Sequence, residues 1–182
     1  VDFDTAQKIE GRYMLSLLLD QTARNMMTAF FLQMEALNRG ANRPDSFERI
    51  QFTKIGILGA GQMGAGIATM AAQKGIEVVI KDINQDNADK GKDYAASVYA
   101  KNKRVDEAQA EQFLARITAT DNYADLADCE LVIEAVFEDR GVKAEVTKDT
   151  EAVLANSAVF ASNTSALPIT ELAQASTRPE NF

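Results

Sequence analysis

The chain has 182 residues, a formal net charge of −8 and an isoelectric point of about 4.6. Hydrophobic residues make up 46% of the chain and charged residues 25%, which is ordinary for a soluble globular protein. Because so acidic a chain offers no basic stripe to neutralise phosphates, the composition argues against a general nucleic-acid-binding protein.

Residues 5–39 predict one long helix. Apolar residues recur there at three- and four-residue steps, and Gly40 follows as a C-terminal stop. Asp20 and Arg24 interrupt the apolar run too early for a membrane span, so we predict no transmembrane segment. Around residues 29–32 the helix is apolar on every side, and we expect this part to pack in a core rather than against a second copy or a membrane.

Residues 40–46 (GANRPDS) predict a linker, because they combine Gly, Pro, Asn, Asp and Ser. We therefore divide the chain into a helical connector segment, residues 1–49, and a second domain, residues 50–182. The chain begins without Met and ends without a terminating signal, so we expect a piece of a longer protein. The single cysteine, Cys129, is expected to be a buried apolar side chain in a reducing, cytoplasmic compartment.

The second domain opens with an apolar strand at residues 55–58 and a glycine-rich turn that leads into a helix. In this arrangement Gly59 would permit a tight turn, and Gly61 would let the backbone approach a diphosphate. Gly64 would let the helix pack closely on the strand. A diphosphate would then face the free N–H groups and the positive dipole end of that helix.

Asp82 follows a second apolar strand, residues 78–80, and lies 18 residues after Gly64. A carboxylate at this place can accept hydrogen bonds from both adenosine ribose hydroxyls, and it would repel a 2′-phosphate. The strand, turn, helix and acid together predict a dinucleotide site that favours NAD over NADP.

The rest of the chain alternates helices with strands. Residues 84–115 predict two surface helices joined near residues 102–106, and Pro168 lies in the first turn of another helix. Further strands are predicted at residues 117–120, 130–136 and 158–161. This order predicts a Rossmann-like, doubly wound α/β fold with a mainly parallel sheet. Ligands of such sheets bind at the carboxyl ends of the strands. We therefore expect four segments to converge: residues 59–64, Asp82, residues 136–138 and residues 162–165.

Three motifs of the second domain, in this order, resemble the L-3-hydroxyacyl-CoA dehydrogenases. They are residues 54–64 (KIGILGAGQMG), residues 132–138 (VIEAVFE), and residues 161–165 (ASNTS) with residues 179–182 (PENF). The N-terminal helix looks more like the connector in the multifunctional alpha subunit of bacterial fatty-acid oxidation complexes. That resemblance implies a parent protein with an enoyl-CoA hydratase domain, an acyl-CoA substrate and a thiolase partner subunit.

The resemblance also implies a set of NAD contacts. The backbone of Met63 would meet the pyrophosphate, and Ser165 would lie near the nicotinamide and the substrate hydroxyl. Val136, Phe137 and Glu138 would border the nicotinamide ribose, and Lys143, one helical turn further on, could reach the same region. From the residues alone, Glu138 is equally well explained as a carboxylate at a helix start, and Ser165 as a cap or turn residue.

The chain departs from the family pattern because it contains no histidine. The resemblance implies a His general base, oriented by a Glu, that lies beyond the PENF segment. The parent would oxidise L-3-hydroxyacyl-CoA to 3-ketoacyl-CoA by hydride transfer to NAD. We expect the 182 residues alone to bind NAD(H) with little or no turnover.

Three alternatives remain open at this point. One is a dehydrogenase of related fold that acts on a small hydroxy acid. Another is a non-catalytic NAD-sensing module, which the absence of histidine favours. A methyltransferase with a glycine-rich loop shares the acidic residue after the second strand, although its glycine pattern usually differs.

Overall fold

A computed structural model describes residues 1–41, 43–44 and 50–182. These residues form two compact units, Val1–Ile50 and Gln51–Phe182. The predicted linker falls partly outside the described residues, at residues 42, 45 and 46, and so does residue 49, the predicted end of the connector.

The N-terminal unit is a succession of short helices: α1 (Phe3–Leu19), α2 (Gln21–Met27), a π-helical stretch (Thr28–Gln33) and α3 (Met34–Asn38). The prediction of one continuous helix is wrong at Asp20. This residue has an extended backbone, and its carboxylate accepts a hydrogen bond from the N–H of Thr22, so it ends α1 and caps α2.

The apolar side chains of this unit are not the core residues that we predicted. No residue of its described helices is buried, and Leu15, Phe30 and Leu37 are all more than half exposed. A single run of helices offers no second apolar layer to cover these side chains. The hydrophobic pattern of the sequence does not reveal whether such a layer exists. Across the described part of the chain, no helix combines the length and apolar composition that a bilayer crossing requires.

The second unit alternates strands with helices, as predicted. In chain order its labelled elements are β1 (Lys54–Leu58), α4 (Gln62–Gln73), β2 (Glu77–Lys81), α5 (Gln85–Lys101), α6 (Glu107–Ala115), β3 (Ile117–Thr120), β4 (Leu131–Glu134), α7 (Arg140–Glu151), β5 (Val159–Ser162) and α8 (Ile169–Leu172). The strands form a parallel sheet in the order β3-β2-β1-β4-β5. This confirms the Rossmann-like prediction, and the chain order reverses between β1 and β4.

Two predicted elements differ in detail. The strand predicted at residues 130–136 ends at Glu134, because the N–H of Val136 donates to the Glu134 carboxylate and not to a neighbouring strand. Pro168 is the N-cap residue of α8 and lies just before its first turn. The first difference shortens a strand at the edge of the sheet where ligands of this fold bind.

Apolar side chains cover both faces of the sheet. Ile57 and Ile80 pack with Tyr99 and the alanines of α4 on one face, while Val132 and Phe160 belong to a cluster on the other. Coverage on both faces explains why the strands are almost continuously apolar. Cys129 belongs to the second cluster, and burial raises the pKa of its thiol to about 11. A buried, protonated thiol is unreactive, which agrees with the expectation from the sequence.

Candidate active site

The turn between β1 and α4 requires glycine at two positions. Gly59 has φ +92°, and a Cβ there would lie 2.7 Å from the carbonyl oxygen of Ala135. A Cβ on Gly64 would lie 1.8 Å from the carbonyl oxygen of Gly59. Gly59 therefore lets the chain turn beside β4, and Gly64 lets α4 lie directly against the end of β1, as the sequence predicted.

Gly61 is different, because the protein itself does not require a glycine there. It is the N-cap of α4, and a Cβ on it would meet nothing within 4 Å. No side chain of the described residues caps α4, whereas α5, α6 and α7 are capped by Asn84, Asp106 and Asp139. The start of α4 thus keeps free N–H groups beside open space, an arrangement suited to an anion.

Asp82 lies at the same turn. One carboxylate oxygen accepts the N–H of Ala60 at 2.6 Å, and the other accepts the N–H of Ile83 at 2.7 Å. The side-chain amide of Asn87 donates to the second oxygen at 3.4 Å. These bonds join the end of β2 to the glycine turn and hold the carboxylate beside the start of α4.

A cleft of about 490 Å³ opens at the carboxyl ends of β1, β2 and β4. It lies where the strand order reverses, which is the usual ligand site of this fold. Six predicted site residues line it: Gly59, Gly61, Met63, Asp82, Val136 and Phe137. The remaining four, Gly64, Glu138, Lys143 and Ser165, are not among the residues that line this cleft.

Lys81 and Tyr123 also line the cleft, although neither was predicted from the sequence as a site residue. The Lys81 ammonium lies 3.7 Å from the centroid of the Tyr123 ring, a cation–π contact. Desolvation by burial lowers the pKa of Lys81. The position of Lys81 directly before Asp82 could have identified it as a cleft residue. Tyr123 lies in a short 3-10 helix, which no periodic pattern in the sequence predicts.

Glu138 and Ser165 are brought together outside the cleft lining. The Glu138 carboxylate accepts hydrogen bonds from the Thr164 hydroxyl and from the Ser165 N–H, and it contacts the Lys143 ammonium at 3.1 Å. The bond from Thr164, followed by those from Lys143 and Ser165, lowers the pKa of Glu138 to about 2. The ends of β4 and β5 are therefore connected through this carboxylate.

Lys143 is not among the residues that line the cleft. Its side chain is only 1% exposed, and its ammonium lies between Glu138 and a second carboxylate, Glu134, at 2.7 Å. Glu134 was missed by the sequence analysis, although a charged residue inside an apolar parallel strand is an informative signal. The roles proposed for Glu138, Lys143 and Ser165 toward a cofactor remain predictions.

A family model described as "3-hydroxyacyl-CoA dehydrogenase, NAD binding domain" matches residues 54–182. The chain belongs to this family. Membership removes the methyltransferase alternative and agrees with the preference for NAD inferred from the glycine turn and Asp82.

Two relatives of this NAD-binding domain are longer proteins that it matches only in part. A "Probable 3-hydroxybutyryl-CoA dehydrogenase" of Deinococcus radiodurans is 42% identical over 133 residues, which cover 71% of this chain and 47% of that protein. A fatty acid oxidation complex subunit alpha of Shewanella baltica is 33% identical over 178 residues, 96% of this chain and 25% of that subunit. The chain therefore spans about half or less of these relatives.

The crystal structure of (S)-3-hydroxybutyryl-CoA dehydrogenase from Ralstonia eutropha superimposes with a TM-score of 0.70 at 36% identity. The superposition covers 72% of this chain and 48% of that one. The dehydrogenase part of a multifunctional enzyme from C. elegans gives a TM-score of 0.66 at 26% identity, covering 76% of this chain and 34% of that one. The fold of the second unit is thus shared with dehydrogenases of this family.

The lowered pKa of Glu138 predicts how the stability of this NAD-binding domain depends on pH. Because the pKa falls from 4.5 to about 2, ionised Glu138 should stabilise the fold fully above pH 4.5, and this contribution should be lost as pH falls toward 2. Urea unfolding of wild type and Glu138→Gln should differ by a constant amount from pH 5 to 7 and converge below pH 4. Glu111→Gln, at an exposed position on α6, serves as the control. A difference between wild type and Glu138→Gln that persists unchanged to pH 2.5 would contradict this prediction.

Proposed function

We propose that this chain is the NAD-binding half of a dehydrogenase that oxidises L-3-hydroxyacyl-CoA to 3-ketoacyl-CoA. One observation carries the proposal. The cleft at the switch in strand order lies beside an uncapped helix start and a fixed carboxylate, all within the segment that matches the family. NAD bound in such a cleft would accept the hydride from C3 of the substrate.

Different residues of the cleft bind different parts of NAD. The N–H groups at the start of α4 bind the pyrophosphate, and the absent side chain of Gly61 leaves room for its approach. Asp82 accepts hydrogen bonds from the adenosine ribose and disfavours a 2′-phosphate. Val136 and Phe137 border the nicotinamide ribose, and the Ser165 hydroxyl, which can both donate and accept, lies toward the nicotinamide and the substrate hydroxyl.

The 182 residues alone should be a poor catalyst. The family resemblance implies a His general base, and this chain contains no histidine. Because a general base commonly contributes about a hundred- to ten-thousand-fold, the chain should bind NAD(H) and reduce acetoacetyl-CoA slowly or not at all. The same reasoning favours a cofactor-binding half over an independent NAD sensor, since the chain aligns with only about half of relatives that are themselves named dehydrogenases.

The alignment with a fatty acid oxidation complex subunit alpha extends over both units of the chain, which favours a multifunctional parent. In our proposal that parent also carries an enoyl-CoA hydratase domain and acts with a thiolase subunit in the cytoplasm. The acyl-CoA substrate would separate this parent from a related dehydrogenase of small hydroxy acids, which would oxidise free hydroxy acids.

Titration with NADH, followed by fluorescence, tests the cofactor site directly. A methyl group at position 61 meets no protein atom but would intrude on the pyrophosphate, so Gly61→Ala should weaken NADH binding about tenfold or more. The melting temperature should fall only slightly, because alanine is a poorer N-cap of α4 than glycine. Gly66→Ala, on the same helix and also free of neighbours within 4 Å, should leave the affinity unchanged. Absence of saturable NADH binding to wild type, or equal affinities in wild type and Gly61→Ala, would refute the proposed site.

A further inference from the structure

A buried polar network joins the carboxyl ends of β4 and β5. One oxygen of Glu134 accepts from the Lys143 ammonium at 2.7 Å and from the Val136 N–H at 3.0 Å. The other oxygen accepts from the Ser162 hydroxyl at 2.8 Å. The Glu134 and Lys143 side chains are each 1% exposed. Two charges this deeply buried are costly to desolvate, so the fold gains little stability from the pair compared with apolar residues of similar size.

The network reaches the segments at one end of the cleft. Lys143 also contacts the Glu138 carboxylate at 3.1 Å and the carbonyl of Asn163 at 3.5 Å. Glu138 in turn accepts hydrogen bonds from Thr164 and Ser165. Through these bonds Glu134 fixes both the start of α7 and the segment that follows β5.

The other end of the cleft is held separately. The Asp82 carboxylate accepts from the N–H groups of Ala60 and Ile83 and from the side chain of Asn87. These partners belong to the segments after β1 and β2, not to β4, α7 or β5. The hydrogen-bond networks at the two ends of the cleft therefore share no residue.

We propose that Glu134 is a positioning residue for the nicotinamide half of the cofactor, acting through Lys143 and Ser162 on Glu138 and on residues 163–165. This inference rests on the proposed function, which assigns the end of β4 to the nicotinamide ribose. Glu134 itself is buried and does not line the cleft, so it would act on the cofactor only through these neighbours. Its loss should displace the groups at the nicotinamide end and leave the adenosine and pyrophosphate contacts in place.

The chain contains a matched control for a purely structural role. Glu151, at the end of α7, is a second buried carboxylate, with its side chain 3% exposed. It accepts hydrogen bonds from the Ser176 hydroxyl and from the N–H and hydroxyl of Thr177. Like Glu134, it is tied to a later segment of the chain through a serine. Its partners are Ser176 and Thr177, however, and not residues 136–138 or 163–165.

The experiment compares two ligands, NADH and ADP, on wild type and four variants. ADP carries the adenosine and the diphosphate but lacks the nicotinamide ribose and the nicotinamide. In Glu134→Gln and Ser162→Ala, NADH affinity should fall about tenfold while ADP affinity stays within about twofold. In Glu151→Gln and Ser176→Ala, the melting temperature should fall and both affinities should stay at the wild-type values.

The outcomes test the positioning role of Glu134 separately from the proposed function. Equal losses of NADH and ADP affinity in the Glu134 and Ser162 variants, or no loss of either, would overturn the positioning role. If Glu134→Gln does not fold, Ser162→Ala decides alone, because it removes one hydroxyl and leaves the ion pair intact. Failure of wild type to bind NADH would instead defeat the proposed function, so the two failures can be told apart.

Discussion

Replacing Gly64 by alanine should destabilise the second unit by about 3 kcal/mol or more. The new Cβ would lie 1.8 Å from the carbonyl oxygen of Gly59, 3.0 Å from its carbonyl carbon and 3.1 Å from the Ile57 side chain. Two of these three atoms are backbone and cannot rotate away, so α4 must move off the end of β1. That movement also displaces the N–H groups at the helix start, and NADH affinity should fall by roughly a hundredfold, or about 2.7 kcal/mol.

Thermal and urea unfolding measure the first effect, and NADH titration of the folded variant measures the second. A loss of 3 kcal/mol corresponds to a melting temperature lower by roughly 6–12 °C for a domain of this size. Gly66→Ala is the matched control on the same helix, where the added methyl meets nothing and alanine should raise stability by up to about 1 kcal/mol. If Gly64→Ala melts at the same temperature as wild type, α4 accommodates the added methyl group without loss of stability, which would contradict this prediction.

Replacing Asp82 by asparagine should weaken NADH binding about thirtyfold and reduce the preference for NADH over NADPH. A hydrogen bond to a charged group contributes about 1.5–3 kcal/mol, and the neutral amide also removes the repulsion of a 2′-phosphate. Asparagine keeps an oxygen that can accept the N–H of Ala60, a bond of 2.6 Å in the native protein. The fold should therefore persist while the cofactor preference changes.

Parallel titrations with NADH and NADPH provide the measurement. The ratio of the two affinities is used because partial unfolding of a variant does not change it. Asp86→Asn makes the same charge change at an exposed position in the first turn of α5, and its ratio should equal that of wild type. Asp82→Ala should show a larger loss of NADH affinity, since it removes the acceptor for Ala60 as well. Unchanged NADH affinity in Asp82→Asn would refute the role of this carboxylate at the ribose.

The parallel sheet and the glycine turn could be predicted because their causes are local. Residues 55–58 and 78–80 are short apolar runs, and the positive φ of Gly59 is a local property of the turn. Gly64 lies against the carbonyl of Gly59, which is close to it in the sequence. The break of the N-terminal helix at Asp20 was missed, because an aspartate inside a helical pattern can either be tolerated or begin a new helix. Helical periodicity does not distinguish these two outcomes.

The partners of buried charges could not be predicted in the same way. Glu134 and Lys143 are nine residues apart in sequence, yet Ser162, which completes their network, lies on another strand. Lys143 has a side chain long enough to point toward the cleft or away from it. Only the packing of α7 against β4 and β5 decides that it points between two carboxylates.

By itself the sequence determined the Rossmann-like fold, the dinucleotide turn, the acid after β2 and the family to which these motifs belong. Each of these follows from the order and spacing of residue types, which local sterics and hydrophobic periodicity translate directly into structure. Tertiary structure alone decided which of the predicted site residues line the cleft and which lie in the polar network beside it. That division depends on side-chain directions at strand ends brought together from distant parts of the chain, and no local rule specifies them.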